Sequence, residues 1–84
     1  MDEAPLIRRA QEGDERAGRQ LFDAYQLRTY RLAFGLLGDT ADAEEVAQDA
    51  LTYALLNIYR YKPELSSFST WLHTITVSRA RDKR

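Results

Sequence analysis

An all-helical domain, a compact bundle of four helices, is the fold class this sequence predicts. Apolar residues recur at three- and four-residue spacing in successive segments. Gly13, Gly38 and Pro63 punctuate the chain between those segments. No stretch of any length alternates apolar and polar residues as a half-buried strand does, and there is no internal repeat or low-complexity tract. With 84 residues and no cysteine, the core must be local and compact and has no disulfide to lean on. We expect a single domain over residues 1–84.

The first helix is expected over about residues 4 to 12, because Pro5 is tolerated in a first turn and Asp2 and Glu3 complement the positive end of the helix dipole. Gly13 supplies a stop and Asp14 an N-cap for a second helix of about 14 to 37. Its core stripe is read as Leu21, Tyr25, Leu32 and Leu36, widened by Phe22, Thr29 and Ala33. Gly35 weakens its last turns, and Gly38 can end it in a left-handed cap. Asp39 or Thr40 caps a third helix of about 40 to 60, with Val46, Ala50, Tyr53, Ala54, Asn57 and Ile58 as its core stripe. Pro63 breaks the chain in the loop Tyr61 to Ser67. Ser66 or Ser67 then caps a fourth helix that runs from about Phe68 to the end and buries Phe68, Trp71, Leu72, Ile75 and the stem of Arg79.

Hydrophobic residues make up 44% of the chain and charged residues 30%, which fits a folded soluble domain and not a disordered or membrane-spanning one. The acidic start Met1 to Pro5 carries no long apolar run, so neither a signal peptide nor a transmembrane helix is expected and a cytoplasmic location is the default. Without cysteine there is no thiolate metal site, and the single His73 builds none without several carboxylate partners; no glycine-rich phosphate loop or pair of suitably spaced titratable residues is present. Neither a cofactor nor covalent chemistry is therefore expected.

The net charge of −1 conceals a segregation: residues 39–49 hold Asp39, Asp42, Glu44, Glu45 and Asp49 without a cation, whereas residues 60–84 hold Arg60, Lys62, Arg79, Arg81, Lys83 and Arg84 against Glu64 and Asp82. Either these are two solvated faces, or one end repels phosphate and the other attracts it. On the third helix Glu45, Gln48, Asp49 and Thr52 form an entirely polar stripe. It is either the wet side of an amphipathic helix or a docking face for a basic partner helix, with Leu51, Leu55 and Leu56 as a dry margin. The loop and the following helix start combine Tyr61, Lys62, Ser66, Ser67, Ser69 and Thr70. These form either a capped turn or a pocket in which an unstacked base is held by stacking and edge hydrogen bonds. Trp71 shares a stripe with Phe68, Leu72 and Ile75 and is read as core; His73 and Ser78 lie on the outer side, and Arg79, Arg81, Lys83 and Arg84 make a basic end that suits phosphate contacts.

Asp42-Ala-Glu-Glu-Val-Ala-Gln-Asp-Ala50, followed at this distance by Phe68-Ser-Thr-Trp-Leu72, with the Gly13-Asp14 turn and Leu36-Leu37-Gly38-Asp39 upstream, resembles region 2 of bacterial sigma factors of the extracytoplasmic-function (ECF) group. The resemblance implies a transcription-initiation module that binds the clamp helices of the RNA polymerase beta-prime subunit through Glu45, Gln48, Asp49 and Thr52. It also implies that the loop from Tyr61 to Ser67 pockets a flipped non-template base of the promoter minus-10 element, and that an anti-sigma factor is a further partner. Thr74 and Ile75 stand where primary sigma factors carry two adjacent tryptophans, so strong melting by that wedge is not expected. Ser78 replaces an Asn common in the group, which bears on base choice there, and the chain is expected to be a region 2 domain without region 4. The runner-up reading is a helical adaptor that binds protein only, which needs the acidic stripe but not the basic end.

Overall fold

The computed structural model describes residues 3–83; Asp2 and Arg84, invoked above for the helix dipole and for phosphate contact, lie outside that range. Among the described residues there are four α-helices: α1 (Ala4–Gln11), α2 (Glu15–Leu37), α3 (Thr40–Leu56) and α4 (Phe68–Lys83), with a single 3-10 turn (Ile58–Arg60) after α3. Among the described residues no helix is long and apolar enough to cross a membrane.

The helix ends follow from local chemistry. Gly13 and Gly38 both adopt positive φ, +96° and +69°, a conformation that side-chain-bearing residues rarely adopt. The Asp14 carboxylate accepts from the Arg16 and Ala17 amides at 2.9 and 3.3 Å, and Asp39 accepts from the Asp42 amide at 2.8 Å. Asp39, not Thr40, is therefore the cap of α3. At α4 the cap is Ser67, whose Oγ accepts from the Thr70 amide at 3.1 Å. At α1 the expectation is only partly met: Pro5 sits in the first turn, but Glu3 caps nothing with its side chain. Its carboxylate instead accepts from the Tyr25 hydroxyl at 2.6 Å, which ties α1 to the middle of α2.

The core differs from the sequence reading on α2 and α3: small residues such as Ala17, Ala43 and Ala47 are buried beside Leu21 and Leu51, while Leu32, Leu36 and Tyr53 are not. On α2 the buried row is Ala17, Leu21, Tyr25, Thr29 and Ala33, strictly four apart, while Leu32, Leu36 and Phe22 are half-buried. On α3 it is Ala43, Val46, Ala47, Ala50, Leu51 and Ala54. Small side chains thus share the buried faces of α2 and α3 with Leu21, Tyr25 and Leu51. Tyr53 turns outward at 37% exposure and supports the Arg79 guanidinium, 4.7 Å from its ring centre. Asn57, also expected in the core, ends α3 by donating its side-chain amide back to the Tyr53 carbonyl at 2.9 Å. The α-helix stops at Leu56, four residues short of the expected end, and tightens into the 3-10 turn that buries Ile58.

α4 buries Phe68, Leu72, Thr76 and Ala80, again four apart. The fully buried Thr76 hydroxyl donates to the Leu72 carbonyl at 2.8 Å, so its polarity is satisfied within the helix. Trp71 and Ile75 pack beside the main core of Ile7, Leu21, Tyr25, Leu51, Tyr61 and Phe68 without being enclosed by it. Trp71 is thus a margin residue, a correction to its assignment as core. A second cluster of Ala33, Ala43, Val46 and Ala80 closes the far end of the bundle.

Candidate functional site

Glu45, Gln48, Asp49 and Thr52 all stand exposed along one side of α3. Beneath them Val46, Ala47, Ala50 and Leu51 are buried, so the stripe is mounted on a helix whose opposite face is packed. Leu51 does not form the dry margin expected of it: at 1% exposure it belongs to the core, Leu55 is half-buried, and Leu56 alone projects, at 73%. On the other flank, Phe22, Leu27 and Tyr30 of α2 with Glu44 and Gln48 of α3 line a groove of about 470 Å³. The Lys83 ammonium meets the N-terminal end of the stripe, donating to Glu45 at 2.6 Å with Asp42 at 4.0 Å. That hydrogen bond to Glu45 raises the lysine's pKa.

The loop from Tyr61 to Ser67 is anchored at both ends and across its mouth. Tyr61 is buried at 6% exposure, its ring 5.6 Å from Phe68 and 5.4 Å from Trp71. Its hydroxyl donates to the Ser66 carbonyl at 2.8 Å, closing the loop from beneath, and burial raises its pKa. Tyr61 is therefore a foundation of the loop and not an open stacking platform, which corrects the sequence reading. Within the loop the Leu65 amide donates to the Lys62 carbonyl at 3.0 Å, and at its exit the Ser67 hydroxyl donates to Thr70 Oγ1 at 2.9 Å. At its entrance the Gln11 side-chain amide donates to the carbonyls of Ile58 and Tyr61, at 3.0 and 2.9 Å. Lys62, Ser67 and Thr70 are exposed, and Ser66 is half-buried.

An open cleft of about 610 Å³ adjoins the loop, lined by Tyr61, Pro63 and Ser67 together with Arg8, Gln11 and Arg28. The half-buried Ser69 and the exposed His73 meet Arg28 again in a small cavity of about 90 Å³ on the α4 side. Ser78 and Arg81 are exposed farther along α4. Arg79 is half-buried and held on Tyr53, so of the expected phosphate-binding residues Arg81 projects, whereas Arg79 and Lys83 are engaged by α3 through Tyr53 and Glu45. Thr74 is exposed and Ile75 half-buried. Sequence reasoning missed Arg8, Gln11 and Arg28, because only the fold brings α1 and α2 beside a loop so distant in the chain. The arginines scattered through the first 31 residues were the one available signal.

Residues 21–84 match the Sigma-70 region 2 family. The chain belongs to that family. This region 2 domain is 34% identical over 82 residues to the ECF RNA polymerase sigma factor SigW of Bacillus subtilis, which covers 93% of this chain and 43% of the relative. It is 32% identical over 77 residues to the RNA polymerase sigma-H factor of Pseudomonas aeruginosa, covering 92% and 39% of the two chains. It is 31% identical over 77 residues to the ECF RNA polymerase sigma factor BldN of Streptomyces coelicolor, covering 92% and 29%. The region 2 domain thus spans less than half the length of these relatives, and two of the three carry the ECF designation that its motifs resembled. The family match begins within α2, whereas the similarity to the relatives takes in 92–93% of the chain.

Proposed function

We propose that residues 1–84 act as one region 2 unit in transcription initiation, docking on the beta-prime clamp helices through the α3 stripe and holding a non-template base of the minus-10 element at the loop after the 3-10 turn. The observation that carries this reading is the exposed set Glu45, Gln48, Asp49 and Thr52, mounted on a packed helix in a chain of this family. Carboxylates and an amide in a row suit a basic partner helix, since charge-assisted hydrogen bonds need acceptors at fixed spacing. On the DNA side, Lys62, Ser66, Ser67, Ser69, Thr70, His73 and Ser78 supply donors and acceptors for base edges, and Arg81 a phosphate contact. Tyr61 contributes by supporting the loop. The unit works by binding: it makes the unstacked state of one base more favourable than the stacked state. An anti-sigma factor competing for the same stripe is a further partner on this reading.

Binding of the domain to a beta-prime clamp-helix fragment and to a single-stranded minus-10 oligonucleotide, each titrated alone, tests both halves. Saturable binding to each is expected. A domain that captures the clamp helices but shows no affinity for any oligonucleotide is a protein-only adaptor, and the DNA half of the proposal then fails.

A further inference from the structure

Gln11 is the last residue of α1, and its side chain crosses to a segment 47 to 50 residues away. Its amide group has two hydrogens, and the two acceptors are the Ile58 and Tyr61 carbonyls, which bracket the 3-10 turn. The Ile58 carbonyl also accepts from the Tyr61 amide at 3.0 Å, so one side chain grips the turn where the loop leaves it. Immediately beyond, Pro63 restricts Lys62 to extended backbone, so the direction set at Tyr61 carries into the loop. Gln11 lines the same cleft as Tyr61, Pro63 and Ser67. α1 itself is held in place by the Tyr25 hydroxyl on Glu3 at its other end.

We propose that Gln11 is a positioning residue for base selection: by tying the Ile58 and Tyr61 carbonyls to α1 it sets the entrance of the loop that receives the base. The inference rests on the loop reading proposed above. A loop that discriminates bases by edge hydrogen bonds needs its donors held to a fraction of an ångström, because those bonds weaken steeply with misalignment. The Gln11 grip and the bond from Tyr61 Oη to the Ser66 carbonyl are the cross-links that hold the loop's entrance and span.

The test compares wild type, Gln11→Glu and Gln11→Lys on single-stranded minus-10 oligonucleotides varied one base at a time at two salt concentrations, with thermal melts of each protein. Gln11→Glu keeps the shape but sets an acceptor against two carbonyls, whereas Gln11→Lys keeps donors. Expected for Gln11→Glu is a loss of about tenfold in the ratio between the best and worst base, the scale of one hydrogen bond's net contribution. Its salt slope should stay unchanged, because no phosphate contact is lost. Gln11→Lys should recover most of the ratio. Should Gln11→Glu fail to fold, Gln11→Met, of similar length and without donor or charge, is read in its place. Wild-type discrimination retained by the donor-free variant overturns the positioning role and leaves the loop reading intact. Absence of discrimination in wild type, with no change when the loop is replaced by Gly and Ser, overturns the loop reading and this inference with it. A fall in melting temperature shared by Gln11→Glu and Gln11→Lys, with the base ratio unchanged in both, marks Gln11 as structural only and also overturns the proposal.

Discussion

The α3 stripe and the loop from Tyr61 to Ser67 are near neighbours in sequence, yet the first is held by its own helix and the second by residues as far as 50 positions away. In the stripe, spacing is set by helical geometry over a packed opposite face, and among the described residues Lys83 meets it at Glu45. In the loop, each backbone segment is placed by a separate side-chain hydrogen bond: the long-range one from Gln11 at the entrance, and the local ones of Tyr61 to Ser66 across the span and of the Ser67 cap at the exit. A helical docking face should therefore tolerate changes elsewhere, while a loop reader should fail through residues that never touch the ligand.

The largest expected effect removes the ground under the loop. Phe68→Ala deletes the ring that meets Tyr25, Tyr61 and Trp71 and should cost about 3–5 kcal/mol in denaturant unfolding. Trp71→Ala, at the margin, should cost clearly less; equal losses would make Trp71 a core residue after all. Next in size is Asp49→Arg, which should weaken clamp-helix binding by about tenfold or more while melting and base preference stay as they are. If base preference falls with it, the two regions are not independent and the comparison breaks.

Tyr61→Phe sharpens the comparison from the other side. It removes only the bond to the Ser66 carbonyl, so unfolding should become easier by about 1 kcal/mol and discrimination between bases should decline, with clamp-helix affinity unchanged. Loss of clamp-helix affinity in this variant would count against the separation. The smallest effect at neutral pH is at Tyr25, whose pKa is pushed up from 10.0 to about 12, first by burial and then by the hydrogen bond to Glu3. Because the fold raises this pKa, its contribution to stability is complete below pH 10 and is lost as pH climbs through 12. Wild type should lose melting temperature more steeply across that window than Tyr25→Phe. Tyr61, raised in the same direction, leaves the variant a remaining slope. Parallel slopes would show that the fold does not raise the Tyr25 pKa.

Much of this architecture was legible beforehand because its signals are local. Gly13, Asp14, Gly38, Asp39 and Ser67 mark helix ends by backbone freedom and by side-chain oxygens within three residues of the amides they cap. The polar stripe was equally legible, since residues three and four apart share a helix face wherever the helix happens to pack.

What sequence periodicity could not decide was depth. It ranked Leu32, Leu36 and Tyr53 above Thr29, Ala43 and Ala47, because hydrophobicity favours large residues, whereas the packed helix faces bury these smaller ones. Nor could it tell that Tyr61 points inward or that Gln11 reaches the loop, since both depend on elements brought together from opposite ends of the chain. The sequence by itself determined the four helices, the Asp14 cap and the polar face of α3, and narrowed the caps of α3 and α4 to two adjacent residues each, because those arise from interactions within a few residues. Only the tertiary structure decided which side chains support the loop and which remain available to a ligand, because hydrogen bonds such as Gln11 to Tyr61 exist only once α1 has docked beside the 3-10 turn.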